Sequence, residues 1–285
     1  MRLLSRSRNH FLLQPCRLIR HSAIIMGLGA FLASAMCQRS ATAQNSNGSA
    51  TTSDPQAVTF AARTMAALTG GKVIHDVTLT GTVTRDVGGS DTGTVTLSAI
   101  GTGESRIDLA LSDGTRTEIR DDSTGIPEGK WIAQDGKFGM IAAHNTMTDA
   151  VWFFPALGSL TAGPNVVLSY VGQETRDGIT VDHIRSYVSQ TGQSSIPNLQ
   201  QLSTMDFYLN AATLLPVSLT FNTHPDNNEL ANLPVEIDYS NYQTIDGVAI
   251  PMHIQRRLQG HLVEDFVVTG AIFNTGLSIS AFAID

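Results

Sequence analysis

The sequence predicts a mainly β protein: one antiparallel sheet of about a dozen strands, a leading amphipathic helix and a short mid-chain helix. Three observations carry that expectation. From Val235 to Phe273 apolar residues alternate with polar ones across three runs, and two tight-turn dipeptides, Asp246-Gly247 and Gln259-Gly260, separate them. From Lys72 onward the composition turns to Thr, Val and Gly, interrupted by short Gly-, Ser- and Asp-rich tips. Regular helical segments between the strands are absent, so the connections are hairpins and the sheet antiparallel.

The elements follow in order. Asp54 can cap a helix with Pro55 at its first position; Val58, Ala61, Met65 and Leu68 fall on one face, and Gly70-Gly71 ends it. Four strands come next, separated by Gly88-Gly89-Ser90-Asp91, Gly101-Thr102-Gly103 and Ser112-Asp113-Gly114. Asp135-Gly136 turns another hairpin. The run after Thr148-Asp149 reads as a short helix broken or kinked at Pro155. Arg176-Asp177-Gly178 turns one more hairpin, residues 190–201 are loop with a helical turn near Pro197 to Leu202, and two strands flank Asn210 to Leu215. In the closing meander Val248, Ile250, Met252 and Ile254 share one face and His253 lies on the polar one. Pro251 cannot donate a ladder hydrogen bond, which places that strand at an edge or at a bulge.

The first 43 residues read as a cleavable export signal. Arg2, Arg6, Arg8, Arg17 and Arg20 precede an apolar core from Ala23 to Met36, and Ala41-Thr42-Ala43 has the small-x-small form of a cleavage site. The apolar run is shorter than the roughly 18 to 20 residues that span a bilayer. Cleavage there removes both cysteines and leaves 12 Lys and Arg against 25 Asp and Glu, a net charge of −13. The mature chain then has no thiol chemistry, no disulfide and no Cys-ligated metal. Its acidity excludes phosphate-backbone binding, and with it nucleic acid as a partner. Residues 44–53 form a polar, flexible leader, and residues 54–285 a single domain.

Catalytic motifs are few. Asp91-Thr92-Gly93 has the form of an aspartic-protease triplet, but it sits at a hairpin tip and lacks a second copy. His75, His144, His183, His224, His253 and His261 are scattered without His-Glu-x-x-His or His-x-His spacing, so no metal or cofactor is expected. The loop from Asp226 to Glu229 lacks the order of a calcium-binding hand. Trp131, Phe138, Trp152, Phe153 and Phe154 concentrate aromatic bulk in the middle third. They read either as core or as the wall or lid of an apolar ligand cavity, shielded from water in both cases.

Two stretches carry a resemblance. Tyr208 to Val217 is a strand, an Asn-x-x-Thr turn and a Pro-Val strand start; Tyr239 to Pro251 is a Tyr-x-x-Tyr strand, an Asp-Gly-Val turn and an aliphatic-Pro strand. With the export leader and the helix before the sheet, they resemble exported proteins of unknown function related to the LolA/LolB-type lipoprotein carriers, of the soil-bacterial kind. The resemblance implies a strongly curved half-barrel with helices across its concave side and a cavity for acyl chains. It also implies a periplasmic or secreted, non-enzymatic binding protein whose partner is a lipid or a lipoprotein acyl chain. The alternative is an envelope-interaction or structural domain whose interior is filled by its own side chains.

Overall fold

The computed structural model describes residues 52–158, 160–161, 165–189 and 196–284; the export signal, both cysteines and leader residues 44–51 lie outside them. Thirteen strands form one curved, unclosed antiparallel sheet. β1 (Asp76–Asp86), β2 (Ser90–Ile100), β3 (Glu104–Leu111), β4 (Gly114–Asp121), β5 (Glu128–Ile132) and β6 (Phe138–Met140) run by hairpins from the middle of the sheet to one edge. β7 (Val166–Arg176), β8 (Ile179–Val188), β9 (Met205–Asn210), β10 (Pro216–Thr223), β11 (Leu233–Ile245), β12 (Val248–Leu258) and β13 (His261–Phe273) return from the other edge, and β13 closes against β1. The β6–β7 connection, residues 141–165, therefore joins the two free edges.

The hairpins form where the backbone allows a tight turn. Asp177-Gly178, Asp246-Gly247 and Gln259-Gly260 all have positive φ at both positions, the conformation whose twist matches antiparallel strands. Helix α1 (Pro55–Thr69) starts as its sequence dictates: an Asp54 oxygen accepts from the Gln56 amide at 2.8 Å, and Gly70 ends it at φ 60°. Its buried stripe is Ala57, Ala61, Thr64 and Leu68; Val58, expected inside, is exposed. The small residues face inward because α1 packs against β7, β12 and the turn at Pro155–Leu157, where close approach favours the narrower stripe. The leader is anchored before the helix begins. Asp54 donates its amide to Leu168 O at 2.8 Å, and the Ser53 hydroxyl accepts from the Leu168 amide at 3.1 Å, extending the β7 edge.

The mid-chain helix is shorter than a helix proper. It resolves into 3-10 turns at Ala143–Asn145 and Pro155–Leu157, and between them Asp149 Oδ1 accepts from the Val151 amide at 2.7 Å. A side chain that binds the local backbone competes with helix formation. Near Leu199–Leu202 the expected helical turn is present as α2. β12 is an interior strand, yet its pairing with β13 extends only from Leu258 to His253. Pro251 lies beyond the last of these pairs while remaining paired with Tyr242 of β11, so the strand is neither an edge nor bulged at the proline, against expectation. Outside the sheet, the C-terminal turn Ile279–Phe282 covers β3 and β4, burying Phe282. Asp76 fixes that tail by accepting from the amides of Thr275 at 2.8 Å and Gly276 at 2.9 Å.

A candidate ligand-binding concavity

The register decides which side chains face the hollow. Across β1, β2 and β3, Leu79 pairs with Leu97 and Leu97 with Ile107, all buried on the inner face. Following the same face outward, Leu109 pairs with Arg116, Ile107 with Glu118 and Ser105 with Arg120. On the other half, Phe266 pairs with Ile254 and Glu264 with Arg256, while Arg85 pairs with Glu264 from β1. The concave face is thus layered. One level is aliphatic and aromatic; the other is lined by Arg85, Arg116, Arg120 and Arg256 with Glu118 and Glu264.

The apolar level is occupied by the edge-to-edge connection. Val151, Phe153 and Phe154 are wholly buried and Trp152 is 4% exposed, within the same core cluster as Leu79, Leu97, Ile254 and Phe266. Trp152 packs at 5.7 Å on Phe153 and at 5.9 Å on Phe266, and Phe154 lies 5.9 Å from Phe273, centroid to centroid. The Tyr239 hydroxyl donates to Trp152 O, tying the segment to β11. Upstream, Asn145 latches it to the end of β10: its Oδ1 accepts from the His224 amide at 2.8 Å and the Thr223 hydroxyl at 3.0 Å. Where β12 and β13 part lies a cleft of about 410 Å³ lined by Lys72, Ile74, Asp246, Val248, Ile272, Phe273, Asn274 and Thr275.

The charged level contains two cavities of about 150 Å³ each, both bordered by Arg120, Thr148 and Asp149. Arg256 lies 5.3 Å over the Trp152 ring and 3.3 Å from Glu264. Burial works against its charge, but Glu264 and Glu118 outweigh that and raise its pKa. Arg85 is shifted down, first by burial and then by Arg116; its Nε finds no hydrogen-bond partner, with Glu264 3.6 Å away. Burial also lowers Arg120.

The expected site residues separate into two groups. Trp152, Phe153 and Phe154 are brought together inside the hollow. Trp131 faces it from β5, where Arg116 lies 6.0 Å over its ring. Phe138 is on the opposite face of β6 and 67% exposed, beneath Lys130 at 4.9 Å. The expectation that it is shielded fails because β6 is a three-residue edge strand, and the Lys130 side chain over the ring does not cover it. The arginine layer was missed entirely. Its signal is the alternation Arg116, Glu118, Arg120, which reads from sequence as the wet face of a strand.

No protein-family model and no curated protein matches the chain. Solved structures do. A DUF1329 family protein from Desulfovibrio piger superposes with TM-score 0.51 at 12% identity, over 80% of this chain and 96% of that one. A domain assigned to outer membrane lipoprotein sorting from Vibrio parahaemolyticus gives 0.49 at 12% identity, over 79% and 95%. A LolA superfamily protein from Nitrosomonas europaea gives 0.42 at 10% identity, over 79% and 97%. The Desulfovibrio piger structure shares the fold. At such identity the likeness carries architecture and no activity. In this chain the segment around Phe153 lies in the hollow of the sheet. Among the described residues no group of His, Cys, Asp and Glu is arranged to hold a metal, and no helix is long and apolar enough to cross a membrane.

Proposed function

We propose that this is an exported, non-enzymatic binding protein for a lipid-like ligand, a lipid or the acyl chain of a lipoprotein, acting in the periplasm or outside the cell. The observation that carries the reading is the segment Val151 to Leu157. It belongs to no strand and no α-helix, yet it buries three consecutive aromatic side chains on the concave face of the curved sheet. Such a segment holds the volume an acyl chain would take and can leave it without breaking a β ladder. The sequence expectation of an export signal supports the location.

A second reading has its own observation. The cavities on the charged level are about 150 Å³ each, below the 300 Å³ or so typical of ligand sites. A half-barrel permanently filled by its own side chains would be a structural or envelope-interaction domain. Purification without detergent, solvent extraction and mass spectrometry separate the two. The binding protein yields a fatty acid or phospholipid, or takes up an apolar fluorescent probe; a dry protein that binds no probe leaves the structural reading standing.

A further inference from the structure

Arg120 is a guanidinium buried in the interior. It is 8% exposed, and its Nη2 donates to Thr148 O at 3.0 Å. Among the described residues that is its one hydrogen bond, and no carboxylate lies within ion-pair distance of it. A guanidinium carries five N–H donors, and a buried one is costly unless paired. Arg120 borders two cavities; the one lined by Asp121, Asp122, Glu128 and Asp149 repels an anion, whereas the other sets Arg120 beside Arg256, and a carboxylate or phosphate fits it where a long chain does not. Glu118 and Asp149 also line the cavity that Arg120 and Arg256 share, and Arg256 pairs with Glu264 at 3.3 Å. Trp152 joins the two levels: one side packs on Phe153 and Phe266, and Arg256 lies over its ring.

Resting on the lipid-binding reading, we infer that the ligand is an anionic amphiphile whose head, a carboxylate or a phosphate ester, is bound by Arg120 and Arg256 while its chain takes the place of the aromatic segment. A forked guanidinium pairs with either anion through two parallel hydrogen bonds. The layered hollow fixes the orientation: head among the arginines, chain toward the apolar level.

The test compares, on the full mature chain, a fatty acid, a lysophospholipid with a phosphate monoester head, and the fatty alcohol of the same chain length. At least one anion is expected to bind about tenfold or more tightly than the alcohol, and Arg120→Gln is expected to erase that preference. Which anion is favoured tells carboxylate from phosphate. Equal binding of all three overturns the headgroup site and keeps the lipid-binding reading; no binding of any overturns both. If Arg120→Gln fails to fold, the wild-type comparison and Arg256→Gln still decide. A preference that survives both substitutions overturns the assignment.

Discussion

Phe153→Ala and Phe207→Ala remove the same side chain from two kinds of structure. Phe207 is 1% exposed in the middle of β9, paired to Ile184 on one side and Leu219 on the other; Phe153 is 0% exposed in the edge-to-edge connection. Burial of a phenyl ring withdraws roughly 150 to 250 Å² from water. At about 25 cal/mol per Å², and less some tens of per cent for burial already present in the unfolded chain, truncation costs about 3 to 5 kcal/mol. Phe207→Ala is expected to lose that full amount, since β9 cannot detach without opening the sheet. Loss at Phe153 is capped by the free energy of releasing the segment, because beyond that point the segment leaves and the half-barrel persists. Urea denaturation is expected to show Phe153→Ala losing less than half of what Phe207→Ala loses, with an apolar fluorescent probe binding the Phe153 variant more tightly than wild type. Equal losses of about 3 to 5 kcal/mol and no probe binding by either variant would refute a displaceable segment.

Three further outcomes follow from local structure. Tyr239→Phe removes the hydroxyl that holds Trp152 O and is expected to cost about 1 kcal/mol and speed amide exchange across Val151 to Leu157; unchanged exchange would show that the tie does not restrain the segment. Asp54→Ala is expected to cost about 1 kcal/mol of stability in a urea titration, through loss of the cap on the Gln56 amide. Burial tends to raise the pKa of Asp76, but the amides of Thr275, Gly276 and Leu277 and the Thr275 hydroxyl outweigh it and leave the pKa lowered. A carboxylate depressed on folding contributes stability that is complete above its unfolded pKa of about 3.9 and is lost as pH falls through the folded value. The tail after Phe273 is therefore expected to become protease-sensitive in acid, below about pH 4, and Asp76→Asn to make it sensitive at neutral pH; identical cleavage of both proteins at all pH values would contradict the clamp.

The strands were legible because their punctuation is chemical. Asp246-Gly247 and Asp177-Gly178 name a turn that few other residues can make, and a hydrophobic alternation between two such turns leaves little freedom. The helix was legible at its ends and not in its facing: Val58, Ala61, Met65 and Leu68 make one acceptable stripe, Ala57, Ala61, Thr64 and Leu68 its neighbour, and only the partner surface chooses. Pro251 marks neither an edge strand nor a bulge: β12 is interior and its register shift with β13 lies between Arg256 and Arg257, because strand order is a long-range fact that a single strand does not encode. The burial of Trp152, Phe153 and Phe154 was foreseen, while that of Arg120 was not. Arg116, Glu118 and Arg120 alternate with Thr115, Thr117 and Ile119, so polarity alone puts the charges in water. Burial of Thr117 and Ile119 on the outer face, where the tail covers β3 and β4, shows why polarity misled: this strand is covered on both sides.

The central claim is that the segment inside the half-barrel occupies ligand space and gives it up. Hydrogen exchange followed by mass spectrometry, on the mature protein with and without a saturating fatty acid, tests it most directly. Displacement is expected to deprotect the amides of Val151 to Leu157 when the ligand is added, while those of β1, β9 and β11 keep or gain protection. Exchange in that segment that stays as slow as in the central strands, with ligand bound elsewhere or not at all, would contradict it.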